Sequence, residues 1–340
     1  MSYYCPPITV TSRPLPDAFL PPTDAVTDVT ANTDATVTVE RDIPFREVDG
    51  RTLLLDRYEA TAASGPKPVA ILVRGGAFRY GDKGEFSRHA IDLAAEGYVV
   101  VEPQYRLAPE WTFPAPLVDV KAAIEWCRAE GVSGDPQGVV AVGHSAGASL
   151  VLLAAATADE PGFEPERYPG ASSALDAVVG YSGIYDFRAL GIEDGDHELA
   201  AYLGGGPEEI PEAYDLASPV GQVDAAMPPT LLLHGEDDDV VPLQQSELMA
   251  EALTPLTDVD YEPVPGGHAF PFHGGFYDDV YDRTAAFLGQ HAGVAAGPGS
   301  GPDERLSGGG GPDRQSPGGG PSGGKPPVDD PTVGPNRRGN

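Results

Sequence analysis

The chain has 340 residues and a hydrophobic fraction of 41%, enough for one large domain with a substantial buried core or for two small ones. Lys and Arg number 21 against 52 Asp and Glu, a formal net charge of −31, which argues against the basic face that nucleic-acid binding normally needs. No stretch approaches the ~18–20 uninterrupted apolar residues of a membrane-spanning helix, and the N-terminal MSYYCPPITVTSRPLP lacks the basic-then-apolar pattern of a secretory signal.

In chain order, residues 1–35 are rich in Pro, Thr and Asp and read as an irregular segment, a partial cap over a site. Residues 36–48 and 52–58 form an opening hairpin of Val-, Ile- and Leu-containing strands. Residues 69–73 (VAILV) are a short buried strand running into Gly75-Gly76. A helix is predicted over 87–96 and a strand over 98–102. Leu117, Val120, Ala123, Ile124 and Cys127 recur at helical spacing, so 117–129 is a helix. Residues 139–142 are a strand and 146–156 (AGASLVLLAAA) a strongly apolar helix. Three further strands follow at 176–181, 230–233 and 259–264, with helices at 243–253 and 276–288. Short, continuously apolar strands alternating with helices indicate an α/β domain over 36–291, its mostly parallel sheet covered on both faces. Residues 292–340 are Gly, Pro and Ser with scattered charge and read as a disordered tail.

One segment carries a chemical signature. Gly143-His144-Ser145-Ala146-Gly147 matches G-x-S-x-G, and it sits between a strand and a helix as a nucleophile elbow requires. Glycines two before and two after the serine allow a turn so tight that side chains there would collide with it or with the neighbouring strand. The bland alternative is a Gly-Ser turn capping a helix. Adjacent residues in such a turn point apart, so His144 reads as a packing residue and not as a base.

A serine hydroxyl becomes a competent nucleophile when an imidazole takes its proton and a carboxylate orients that imidazole. Both partners should follow Ser145 in the chain. HGEDDDVVP at 234–242 offers Asp237, Asp238 and Asp239 after a strand, and VPGGHAF at 264–270 places His268 on a glycine-rich loop before the last helix. His273 is the reserve base. His89, His197, His234 and His291 read as structural or solvated.

Several longer motifs occur in order: RGGAFRYGDK at 74–83, YRLAPEWTFPAPLVDVKAAIEW at 105–126, GHSAG, YSGIYD at 181–186 and HGEDDDVVP. Over residues 69–288 the chain thereby resembles the acetyl-esterase-like and hormone-sensitive-lipase-like α/β-hydrolases. That resemblance implies an eight-stranded, mostly parallel sheet with helices on both faces and a small cap. It aligns the family pattern H-G-x-x-D-x-x-V-P on Asp238 as the acid. It also implies an oxyanion hole from the main-chain N–H groups of Gly76, Ala77 and Ala146. The chain departs from the family at Arg74, where His-Gly-Gly-Gly is usual and Arg74-Gly75-Gly76-Ala77 stands here. Whether Arg74 attracts an anionic substrate is left open by the residues alone.

The implied activity is cleavage of short-chain carboxylic esters through an acyl-enzyme on Ser145. An arylformamidase-type amide hydrolase and a non-catalytic hydrolase-fold binding protein are the alternatives. The insertion between 181 and 230 is moderately long, and Tyr185, Phe187, Tyr202, Leu203 and Tyr214 suffice for a modest pocket wall but not for a lipase lid. An acetylated sugar or a feruloyl ester enters by resemblance. No cofactor and no metal are expected. The partner is a small-molecule ester, with neither nucleic acid nor membrane, and a homodimer is left open. Cys5 and Cys127 do not make a disulfide framework and read as reduced thiols of a cytoplasmic protein. The acid spread along the whole chain resembles haloarchaeal composition and reads as adaptation to high salt.

Overall fold

Strands that are buried at every position have no wet face, so they pack where helices cover both sides of a sheet. In the computed structural model this holds for β4 (Val69–Val73), β5 (Val99–Pro103), β6 (Val139–His144), β7 (Ala177–Tyr181) and β8 (Thr230–Gly235), in which every residue is buried. The structure describes residues 27–30 and 36–292, apart from 62–65, 132–135, 137, 166, 167, 169, 192–197 and 274. The expected tail at 292–340, apart from Ala292, and most of the expected N-terminal cap lie outside those residues.

With β1 (Thr27–Thr30), β2 (Thr36–Val48), β3 (Arg51–Ala60) and β9 (Val259–Val264), these strands form one nine-stranded sheet in the order β1-β2-β3-β5-β4-β6-β7-β8-β9. The pairs β1-β2, β2-β3 and β3-β5 are antiparallel, and every pair from β5 to β9 is parallel. All eight strands read from the sequence are present. The ninth, β1, falls in the segment expected to be irregular: TDVT is too short and polar to carry a readable period.

Alternation along each strand sorts the core into two layers. Val69, Ile71 and Val73 face one way, packing with Val101, Ala141 and Leu232 under α2 (Ala115–Trp126), α3 (Ala146–Ala156) and α6 (Gln244–Leu253). Ala70 and Leu72 face the other way, with Val100, Val142 and Val179, under α1 (Ser87–Ala95) and α7 (Tyr277–His291). The helix expected over 117–129 begins two residues earlier, and its last turn continues as a π-helical turn at Cys127–Gly131. Two short helices, α4 (Glu198–Leu203) and α5 (Pro211–Ala217), occupy the insertion between β7 and β8. No helix among the described residues is long and apolar enough to cross a membrane.

The YRLAPE…D segment is held by a buried charge network. The carboxylate of Asp119 on α2, fully buried, pairs with Arg46 of β2 and accepts from the Arg106 Nε at 2.8 Å and the Arg106 main-chain N–H at 2.9 Å. A carboxylate this deep is tolerable only with such partners. The network fixes the chain that runs from β5 into α2 beside the parallel strands.

Candidate active site

The connection from β6 to α3 leaves no room for side chains. A Cβ on Gly143 would run into the backbone of Gly147, and a Cβ on Gly147 into the carbonyls of Val73 and Arg74 at the end of β4. Between them Ser145 adopts φ 54°, ψ −121°, a left-handed conformation that a non-glycine residue holds only when its surroundings enforce it. Its main-chain N–H is anchored on the Tyr181 carbonyl at 2.8 Å. The side chain, 7% exposed as part of its residue, stands at the N-terminus of α3, where the helix dipole favours developing negative charge.

The loop from β4 to α1 packs directly on this elbow. A Cβ on Gly75 would lie 3.0 Å from His144 Nδ1 and 3.1 Å from Ser145 Cβ. Gly76, Ala77 and Phe78 all take positive φ, at 108°, 51° and 61°. Phe78 is pinned by stacking on Tyr202 of α4, ring centroids 3.8 Å apart, and by its carbonyl, which accepts from Ala108 at 3.0 Å. Among the described residues, the main-chain N–H groups of Gly76, Ala77 and Ala146 have no protein acceptor. The N–H of Gly75, by contrast, is taken by Glu85 Oε2 at 2.7 Å.

Arg74 is buried in the same loop, 4% exposed. Its Nη1 donates to the carbonyls of Gly75 at 2.8 Å and Tyr80 at 2.5 Å and to the Tyr105 hydroxyl at 3.1 Å, while its guanidinium carbon lies 4.3 Å from the centroid of the Tyr105 ring. Burial pushes the Tyr105 hydroxyl up to about 12, against the pull of Arg74, so it keeps its proton to share with the Arg74 and Gly75 carbonyls. The arginine is a brace inside the loop.

Of the three candidate acids, the structure brings Asp238 to His268. Asp238 Oδ2 accepts from His268 Nδ1 at 2.8 Å, with the Asp238 side chain fully buried and that of His268 18% exposed. Oδ1 accepts the main-chain N–H groups of Val240 and Val241, both at 2.9 Å. Burial alone would raise the Asp238 carboxyl, but the nearby His234 ring, with Nε2 3.4 Å away, and the hydrogen bonds from His268 and the Val241 N–H outweigh it and hold the group well below the usual carboxylate range. Asp237 and Asp239 are exposed. The acid and base loops meet closely: a Cβ on Gly235 would lie 2.8 Å from the Gly267 carbonyl, and Asp237 N–H donates to Gly266 at 2.9 Å.

With Nδ1–H committed to Asp238, the Nε2 of His268 is left as the basic nitrogen. His268 reaches the elbow through its main chain, whose carbonyl lies 2.9 Å from His144 Nε2, and the two imidazole centroids are 4.8 Å apart. Among the described residues no direct hydrogen bond joins the Ser145 hydroxyl to His268; such bonds commonly tighten only with substrate in place. His273 follows the 3₁₀ turn Phe270–Phe272 and has no hydrogen bond to Asp238 or Ser145 among the described residues. His89 is buried among the rings of Phe86, Phe272 and Tyr277, and His197 lies outside the described residues.

Two further residues hold this arrangement, His234, which the sequence marks as structural or solvated, and Glu85, which sequence reading passed over. His234, fully buried at the end of β8, binds Ser246 Oγ at 2.7 Å and the Val241 carbonyl at 2.9 Å, and so braces the acid loop. Its place four residues before Asp238 was the available signal. Glu85, joining the Gly75 N–H to His144 Nδ1 at 3.3 Å, had none.

The BD-FAE family model matches residues 55–253. Esterase LipC of Mycobacterium tuberculosis is 34% identical over 215 residues, covering 60% of this chain and 53% of that protein. Probable carboxylic ester hydrolase LipM of the same organism is 32% identical over 283 residues, covering 76% and 63%. The chain therefore spans about half to under two thirds of the length of these relatives. Among solved structures, the apo form of Thermogutta terrifontis esterase 2 superposes with a TM-score of 0.66 at 24% identity, over 76% of this chain and 96% of that one, a likeness that identifies the α/β-hydrolase fold.

Proposed function

The chain belongs to the BD-FAE family, and from that premise we propose that it is a serine carboxylesterase with Ser145 as nucleophile, His268 as base and Asp238 as acid. The Ser145 oxygen attacks the ester carbonyl carbon while His268 Nε2 takes the hydroxyl proton. The carbonyl oxygen becomes an oxyanion, received by the N–H groups of Gly76, Ala77 and Ala146. His268 returns the proton to the departing alcohol as the carbon–oxygen bond breaks, leaving an acyl group on Ser145. Water, deprotonated by His268, then attacks that acyl carbon, and the serine leaves with the proton. Asp238 stays ionised and steadies the imidazolium in both halves.

The observation that carries this reading is the 2.8 Å Asp238–His268 pair set against a strained elbow whose neighbouring N–H groups have no protein acceptor. Short acyl chains are the favoured substrates: Tyr185, Phe187, Tyr202, Leu203 and Tyr214 in the β7–β8 insertion are all buried in the core and are not displayed as an acyl-binding wall. The net charge of −31 supports a protein adapted to high salt, and the buried free thiol of Cys127 fits a cytoplasmic setting.

The test is hydrolysis of p-nitrophenyl esters from acetate to palmitate in ~2–3 M salt, a range that screens the acidic surface, with Ser145→Ala alongside. Activity peaking at short chains and vanishing in the variant is expected. No turnover by a folded protein would sink the esterase reading and turn the search to formamide substrates.

A further inference from the structure

Resting on that reading, we propose that Glu85 and His144 act together as positioning residues, a brace that sets the oxyanion loop and the base loop relative to the nucleophile elbow. Glu85 lies just before α1, its side chain 31% exposed. One carboxylate oxygen accepts the Gly75 N–H at 2.7 Å and the other lies 3.3 Å from His144 Nδ1. The opposite ring nitrogen, Nε2, lies 2.9 Å from the His268 carbonyl. Glu85 and that carbonyl both accept, and His144 presents one ring nitrogen to each. The ring, 6% exposed at its side chain, is held edge-on by Phe272 at 5.0 Å. A chain of bonds thus runs from the loop carrying Gly76 and Ala77, across the residue beside Ser145, to the main chain of His268.

The brace accounts for a selective use of N–H groups. Glu85 takes the Gly75 N–H and so fixes the peptide that precedes Gly76, while the N–H groups of Gly76 and Ala77 are left without a protein acceptor among the described residues. Donors aimed in advance stabilise a developing oxyanion without reorganising, and a shift of about 1 Å costs on the order of 100-fold in rate. Neither Glu85 nor His144 needs to touch substrate for this.

Glu85→Ala tests it, because a methyl group can engage neither the Gly75 N–H nor the His144 ring. Protein active sites are counted with a fluorophosphonate, and kcat per counted site is measured on p-nitrophenyl acetate. The brace predicts kcat lower by about 10- to 100-fold, KM within about twofold, and affinity for a boronic acid that adds to Ser145 lowered by the same factor as kcat. His144→Phe, which keeps a ring against Phe272, should behave alike, and the double variant should lose no more than the worse single one. Wild-type kcat per counted site in Glu85→Ala, or losses that multiply in the double variant, would overturn the proposal. Hydrogen exchange of peptides covering 74–80 supplies a readout that needs no turnover. Faster exchange in Glu85→Ala supports the brace, and unchanged exchange overturns it. A wild-type protein that neither labels nor turns over would remove the esterase reading alone.

Discussion

Arg74 Nη1 donates to the carbonyl of Tyr80 at 2.5 Å, closing the loop between β4 and α1 on itself. A buried guanidinium whose Nη1 donates to main-chain carbonyls and which lies over the Tyr105 ring holds loop shape; it is not displayed to attract an anion. Arg74→Ala should therefore lower kcat by about 10- to 100-fold through a misplaced oxyanion loop, with little change in KM. Arg74→His should leave the ratio of kcat/KM for neutral and anionic esters unchanged. Paired kinetics on an acetyl and a hemisuccinyl ester check this, and a ratio moving toward the neutral ester would restore the anion-attracting role.

The buried Asp238 carboxylate serves His268 and His234 on one oxygen and two main-chain N–H groups on the other. Asp238→Asn should lower kcat by about 1,000- to 10,000-fold, whereas Asp237→Asn and Asp239→Asn should stay within about twofold. The same group gives a stability signature. Its folded pKa is depressed, so its contribution is fully present above the unfolded value of roughly 3.9 and is lost as pH falls through the lowered folded value. The Tm gap between wild type and Asp238→Asn should be constant from pH 5 to 8 and narrow below about pH 4. A gap that widens in acid would mean that Asp238 is not held ionised.

What the sequence made legible was whatever local sterics or periodicity dictate. Gly143 and Gly147 announce the elbow because no other residue fits the backbone contacts there. The five strands β4 to β8 announce the sheet because all-buried runs have no other home. Strand β1 and helices α4 and α5 carry too few residues for a period to emerge. Glu85 was invisible for a different reason: its partners Gly75 and His144 are 10 and 59 positions away, and only the packing of one loop on another brings them together. Arg74 stood out as a departure, yet which carbonyls it reaches is a fact of the folded loop.

Away from the site, α2 buries Glu125 to 1% exposure with Oε2 lacking a hydrogen-bond partner among the described residues. Burial, then the neighbouring Glu164 carboxylate, push the Glu125 carboxyl well up, with Lys121 opposing. A raised folded pKa means that the stabilising term is complete below the unfolded value of roughly 4.3 and is lost as pH rises toward the folded one. Glu125→Gln keeps the shape of the neutral acid without that loss. It should match wild type near pH 4.5 and exceed it at pH 8 by about 1–2 kcal/mol, or about 2–8 °C in Tm. Thermal melts across that range decide it; a difference independent of pH would show that Glu125 does not titrate in the folded protein.

Salt should act on this molecule through two populations of charge. The pairs that fix the fold are sheltered: Asp119 with Arg46 and Arg106 has side chains at most 10% exposed, so added ions reach them little. Surface pairs such as Arg188–Asp215, 44% and 60% exposed, contribute little to begin with. What salt chiefly removes is the mutual repulsion of a net charge of −31, as the screening length falls from about 10 Å at 0.1 M to about 3 Å at 1 M. Tm should therefore climb steeply with sodium chloride up to about 1 M and flatten beyond it, where the screening length is already shorter than most spacings between surface carboxylates. Sucrose, which strengthens burial without screening charge, should not reproduce the steep part. A Tm that is flat or falling between about 0.1 and 1 M salt would mean that the carboxylates are not repelling one another in the folded state, and the high-salt reading of the composition would fail with it.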